Sequence, residues 1–490
     1  MKNRNVLLIL VFFLSFLQAY AIDCDEDKSY PDWRSSQGPI RDQDTIGWCY
    51  AFTASDLLTD FMNRNPDHRP KKLSNLDFTK KENMVSPMSG AVAVENGVLE
   101  LSSTMKMNYD IDKTFSYEKV LENNIKLEKS QKDYNETCRN DCQHDCLYSY
   151  IHNLDYSHLK CDFFQSRSKD LPEIVKLFKK VEELDKKQRL DIGKYQRITM
   201  GGNAELILDY YIRSGFSLES QFPTDNFKAE DRLSQISHEF SLAFGTAKSK
   251  EQALCSGYEL YKELCPNCTQ TFEDIKPILE KSLNPQKSAL YELTNNDQFK
   301  FNLSKSSKID IKKFSYQEES ELSEKRKNID EGLTKGIVGI GYDISNILSL
   351  NKGGHASTLV GKKCIQGQEH YILRNSWGSQ ACEAEKKEII LGRIETAASE
   401  QEVAKKYSGC MSICNDMPTK IENSFSLFSQ DDPKKVLEKK ECKNSCYNKN
   451  KDELSQKFGT YECDKIGYYF IESEKILNAT SSAQYLVPKN

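Results

Sequence analysis

Three stretches of the sequence predict an α+β fold. From Cys49 onward, Ala51, Ala54, Leu58 and Phe61 or Met62 recur at three- and four-residue steps, the pattern of an amphipathic helix with one buried face. Gly336 to Tyr342 is an apolar, partly β-branched run that reads as a buried strand. His355 opens a further run of small and apolar residues, and Tyr371 to Gly378 follows after a glycine-containing turn. That spacing predicts a hairpin setting His355 beside Asn375.

Around the helix start the residue types suggest chemistry. Gly47 and the polar Asp44-Thr45 suit a tight loop that delivers Cys49 to a helix N-terminus. There, unpaired backbone N–H groups and the positive end of the helix dipole favour thiolate over thiol, which makes the sulfur a nucleophile. Gln43, folding back across the loop, would place its amide beside the Cys49 backbone N–H as an oxyanion hole. Asn375 can accept from one imidazole nitrogen of His355 so that the other faces the sulfur, while Trp377 shields that bond from water. Asn63 to Pro66 ends the helix, because proline and the residue before it both resist helical geometry. Val85 to Met88 opens another short helical region.

The order Gln43, Cys49, Tyr50, Ala51, Phe52 resembles the active-site segment of papain-family cysteine peptidases, and His355 and the Asn375-Ser376-Trp377-Gly378 run follow in the family's order. Two positions depart from it. Ile46 stands where the family has a cysteine, and Trp48 replaces a small residue, which would narrow the cleft. The Gly201-Gly202 pair resembles the family's Gly-Gly, where the missing Cβ lets backbone approach an extended peptide. Gly467 to Ile471 resembles its closing strand, delayed by an insertion.

The resemblance implies a papain-like two-lobed fold: a helical lobe led by the Cys49 helix and a twisted antiparallel β lobe carrying His355 and Asn375, with the active cleft between them. It implies a secreted cysteine endopeptidase that hydrolyses peptide bonds of a protein or peptide substrate through a Cys49 thioester. Cys49, His355, Asn375 and Gln43 are its catalytic set; Gly201, Gly202 and Trp377 are its substrate-binding residues; no cofactor or metal is needed. The same machinery could transfer the acyl group to an amine, or the chain could be an inactive binding scaffold with its cleft blocked.

Composition bounds the partners. The formal charge is −5, and −7 without Lys2 and Arg4, mixed along the chain, which gives no reason to expect nucleic-acid binding. Lys2 and Arg4, the apolar run from Val6 to Leu17 and Ala19-Tyr20-Ala21 read as a signal peptide over 1–21. That run is too short for a membrane span, and no later stretch supplies one. The expected location is secreted, or periplasmic or lumenal. Residues 22–490 read as one catalytic domain interrupted by insertions at about 101–197, 228–305 and 383–462, which are expected to decorate its surface. The domain opens almost at the cleavage site, so no N-terminal prosegment is expected to need removal.

Sixteen cysteines behind a signal peptide argue for disulfides. With Cys49 a thiol, an odd number remains, so at least one further cysteine is expected to be free or bonded between chains; Cys24 and Cys364 lack close cysteine neighbours and are the candidates. Cys382 and Cys463 flank the third insertion and are expected to close it. Inside it, two C-x3-C pairs on antiparallel helices would join Cys410 to Cys446 and Cys414 to Cys442, with zinc as the competing reading. Cys265-Pro-Asn-Cys268 lacks a second pair for zinc and is expected to be disulfide-bonded.

Overall fold

The computed structural model describes residues 24–26, 28–43, 47–95, 115–138, 144–155, 159, 161–195, 202–224, 232–284, 288–303, 309–317, 320–348, 353–397, 414, 433–449, 451, 454 and 461–489. Residues 1–21, read above as a signal peptide, lie outside them. The chain is mixed α+β and divides into two compact units, one of 1–43, 52–84 and 304–490, the other of 44–51 and 85–303.

The first unit is built on a single antiparallel sheet of seven strands: β1 Ile309–Ser315, β2 Val338–Asp343, β3 Gly354–Ile365, β4 Gln368–Arg374, β5 Glu462–Cys463, β6 Tyr469–Glu472 and β7 Thr480–Pro488. Their order is β1-β7-β2-β3-β4-β6-β5. Alternate residues Val338, Ile340 and Tyr342, with Tyr371, Leu373, Tyr469, Ile471, Ala483 and Tyr485, enter one core together with Ile329, Leu333, Ile476 and Leu477 of two helices. This is the two-residue periodicity of a sheet with a buried face. The strand predicted at Gly336–Tyr342 is β2, and β3 and β4 form the expected hairpin, joined at Gln366-Gly367, both with positive φ. The strand at Gly467–Ile471 does not close the sheet. After β6 the chain forms the helix Ser473–Ala479 and returns as β7, which pairs with both β1 and β2.

The helix Cys49–Arg64 starts and ends where its sequence signals lie. It is not amphipathic in its setting, however, because every residue from Tyr50 to Met62 is buried, including Thr53, Asp56 and Asp60. The glycines of the β2 stretch have a packing role. A Cβ on Gly339 would stand 2.8 Å from Leu57 Cδ1 and 3.0 Å from Thr53 Cγ2, so the strand is small where this helix lies against it.

The second unit is helical. Asn124, on the helix Tyr117–Cys138, donates to the Gly245 and Ala247 carbonyls at 2.9 and 2.8 Å, and Tyr195 donates to Leu283 O at 3.0 Å. Residues of the 101–197 and 228–305 stretches thereby share buried hydrogen bonds, each worth most where water is excluded. The helix Met88–Glu95 follows Val85 and Pro87, and Ser86 joins the unit's core by donating to Phe222 O at 2.7 Å.

Among the described residues, no helix is long and apolar enough to cross a membrane.

Candidate active site

In the sheet unit, His355 is the second residue of β3 and Asn375 follows the last residue of β4. The hairpin brings them together: His355 Nε2 lies 2.8 Å from Asn375 Oδ1. The same oxygen accepts from Ser376 N at 2.8 Å and Ser357 Oγ at 3.3 Å, which fixes the amide's orientation and leaves Nδ1 as the imidazole nitrogen not committed to Asn375.

Two aromatic rings hold the imidazole. Trp377 lies 4.6 Å away at an interplanar angle of 31°, and Tyr342 meets it edge-on at 5.5 Å and 87°. Trp377, expected both to shield the His–Asn bond and to bind substrate, is therefore a wall of the histidine's pocket. Burial pushes the His355 pKa down to about 4, against the raising effect of the Asn375 bond. The isolated imidazole is thus neutral at neutral pH, as a proton acceptor must be.

Gln43 is brought to the same cluster by a short antiparallel contact. Asp42 bridges to Trp377, Gly378 N donates to Arg41 O at 3.1 Å, and Gln43 N donates to Ser376 O at 2.7 Å. The Ser376 hydroxyl donates to Gln43 Oε1. With its carbonyl end engaged by Ser376, the Gln43 amide has Nε2 as its donor end, the polarity an oxyanion hole requires. Ser376 has no role in the sequence reading; its place between Asn375 and Trp377 was the available signal.

Beneath this cluster lies a buried ionic triad. Asp56 accepts from Arg41 at 2.6 Å and from Arg374 at 2.9 Å, all three almost fully buried. Burial would raise the Asp56 carboxyl, but the two guanidinium groups outweigh it and hold the carboxyl below its usual range. Arg374 also donates to the carbonyls of Gly38 and Pro39 at 2.9 and 2.6 Å. One arginine thus ties the residue before Asn375 to the segment leading to Gln43.

In the helical unit, Cys49 is the first residue of its helix, part-exposed, and is a thiol rather than a disulfide cysteine. No acidic residue occupies the first turn to oppose a thiolate. Trp48 is buried rather than presented to solvent. Gly202 precedes Asn203, whose side chain caps the helix Ala204–Ser214 by accepting from Glu205 N at 2.8 Å. A Cβ on Gly202 would stand 2.4 Å from the Tyr50 ring, so the glycine lets its backbone reach the aromatic residue next to Cys49. Gly201 lies outside the described residues.

The chain matches no family model and no curated protein.

The cysteines complete the picture. Cys382 is bonded to Cys463, and Cys414 to Cys442. Cys446 is disulfide-bonded as well, while Cys410 lies outside the described residues. Cys265 is bonded to Cys268, and Cys146 to Cys161. Cys24 and Cys364 are not thiols. They are bonded to each other, because the N-terminal segment runs beside β3, with Trp33 N on Val360 O and Cys24 N on Gly367 O. Among the described residues the other thiol is Cys255, which is exposed. Among the described residues, no group of three or more His, Cys, Asp or Glu is placed to hold a metal ion.

Proposed function

We propose that this chain is an exported cysteine endopeptidase with a papain-like two-lobed fold, using Cys49, His355, Asn375 and Gln43. The observation that carries the reading is the His355–Asn375 bond of 2.8 Å under the Trp377 ring, with Gln43 held at the adjoining Ser376. An imidazole fixed at Nε2, neutral and walled by aromatics has Nδ1 for one exchangeable proton. A thiol at a helix N-terminus is its natural partner.

In this reading, Nδ1 of His355 takes the Cys49 proton as Sγ attacks the scissile carbonyl carbon. Gln43 Nε2 and the Cys49 backbone N–H stabilise the oxyanion. The imidazolium then protonates the leaving amine, giving a thioester that water cleaves with His355 as base. The disulfides and the signal-like N-terminus support an oxidising destination.

Protein expressed from Ile22 should be labelled by an epoxysuccinyl thiol-protease inhibitor at Cys49 and should release cleaved peptides detected by mass spectrometry. Labelling confined to the exposed Cys255, with no cleavage of a peptide library, would refute the reading.

A further inference from the structure

The hydroxyl that reaches Asn375 from β3 has a second hydroxyl behind it. Ser357 Oγ lies 3.3 Å from Asn375 Oδ1 and 3.0 Å from the hydroxyl oxygen of Tyr342. All three residues are buried, so these groups must satisfy one another rather than water. The sheet register makes the contact. His355 and Ser357 stand two apart on β3 and share a face, and Tyr342 of β2 is paired with His355. Ser357 is therefore the diagonal neighbour of Tyr342, within reach of a long aromatic side chain.

The protons available give this chain of groups one direction. Asn375 Oδ1 can only accept, so the proton between it and Ser357 is the serine's. A serine hydroxyl has one proton, and the contact with Tyr342 is therefore made by the Tyr342 O–H donating to Ser357 Oγ. We infer that Tyr342 and Ser357 are positioning residues for His355: the Tyr342 hydroxyl turns the Ser357 proton toward Asn375 Oδ1, and the amide so held keeps the imidazole proton on Nε2. The assignment rests on the reading of His355 as the base that takes the Cys49 proton.

The consequence lies in the tautomer. With Oδ1 toward the ring, Nε2 is the protonated nitrogen of the neutral imidazole and Nδ1 keeps the lone pair a base needs. An amide turned over would present its Nδ2 hydrogens to Nε2, which would then have to accept, and the ring proton would move to Nδ1. Ser376 N opposes that inversion from the backbone, donating to Oδ1 at 2.8 Å. Ser357 opposes it from the side chain, but a serine free to rotate could also accept from the inverted amide. Tyr342 limits that freedom by occupying one acceptor position of Oγ. The ring that meets the imidazole edge-on at 5.5 Å is thereby anchored at its far end by the same serine.

The test uses the full chain carrying Tyr342→Phe, Ser357→Ala or both; phenylalanine keeps the ring against His355, and alanine removes only the serine oxygen. In a Cys49→Ala background, NMR at neutral pH should find the His355 proton on Nε2. Its exchange with water should quicken about two- to tenfold in each variant, the worth of one ordinary hydrogen bond. With Cys49 present, alkylation of that thiol by iodoacetamide should slow by a similar factor. Because Tyr342 acts through Ser357, the double variant should match Ser357→Ala alone, whereas two independent packing defects would add. An imidazole protonated on Nδ1, a Tyr342→Phe variant whose Nε2 proton exchanges as in the parent, or a Tyr342→Phe effect that persists in full on the Ser357→Ala background overturns the inference. Failure of the peptidase reading looks different: Cys49 would react no faster than Cys255 and would ignore these variants, while the Nε2 proton still responded to Tyr342→Phe.

Discussion

Arg374 donates to Asp56 at 2.9 Å, joining the residue before Asn375 to the buried helix that Cys49 begins. Arg41 meets the other carboxylate oxygen at 2.6 Å, two residues before Gln43. A carboxylate shared by two buried guanidinium groups is costly to interrupt, because removing it leaves both positive charges without compensation. Asp56→Asn should therefore lower unfolding free energy by about 3–5 kcal/mol. Urea denaturation would show this as a lower midpoint; a change within error would mean that the triad contributes no stability.

Cys49→Ala should abolish peptide cleavage while leaving thermal unfolding unchanged, because the substitution keeps the helix and removes only the sulfur. Gln43→Ala should reduce kcat by roughly 10²- to 10³-fold, the usual effect of losing one oxyanion donor. Ser376→Ala should give a smaller loss, since it only orients the Gln43 amide. Steady-state kinetics on a peptide substrate would rank the three, and a Ser376 effect larger than that of Gln43 would contradict the assigned roles.

The His355 imidazole carries a pH prediction that is cleanest without the thiol. In Cys49→Ala it should titrate at about 4 by NMR, since burial dominates its environment. The folded state then binds fewer protons than the unfolded state between about 4 and 6.5. Stability contributed by this histidine is accordingly present above 6.5 and lost as pH falls toward 4, by ~3 kcal/mol at most. A His355 midpoint at or above 6.5 in that variant would show that its pocket does not desolvate it.

Gly202→Ala should disturb the residue beside Cys49 although it touches no sulfur. Its new Cβ would meet the Tyr50 ring at 2.4 Å, and a buried ring can move only by displacing its neighbours. Overpacking of this kind costs about 1–3 kcal/mol. Both the melting temperature and the Cys49 labelling rate should fall; an unchanged pair of values would mean that the ring yields freely.

Peptide mapping without reduction should recover Cys24 with Cys364, Cys382 with Cys463 and Cys414 with Cys442, while iodoacetamide on native protein marks Cys255 and Cys49. Metal analysis of the same sample should find no stoichiometric zinc. Iodoacetamide on Cys24 or Cys364 would contradict the anchoring of the N-terminal segment to β3.

What the sequence by itself determined is local. The α+β class, the Cys49 helix with its limits, the β2 strand and the hairpin that sets His355 against Asn375 all follow from periodicity, glycine and proline over a few residues, where chain connectivity does most of the ordering. The tertiary structure alone decided the rest. Burial of the Cys49 helix on every side, its Asp56 clasped by arginines 15 and 318 residues away, depends on partners that no local window contains. The Cys24–Cys364 bond spans 340 residues, and its cysteines looked solitary because pairing follows distance in space. β7 enters between β1 and β2, which no reading that ended the sheet at Ile471 could anticipate. The Tyr469–Glu385 contact likewise arises only where the helix Ala381–Ala397, tethered by Cys382, returns to the sheet. Hydrogen bonds and ion pairs between remote residues carry no period in the sequence; they exist only once packing has excluded water and brought the groups within 3 Å of one another.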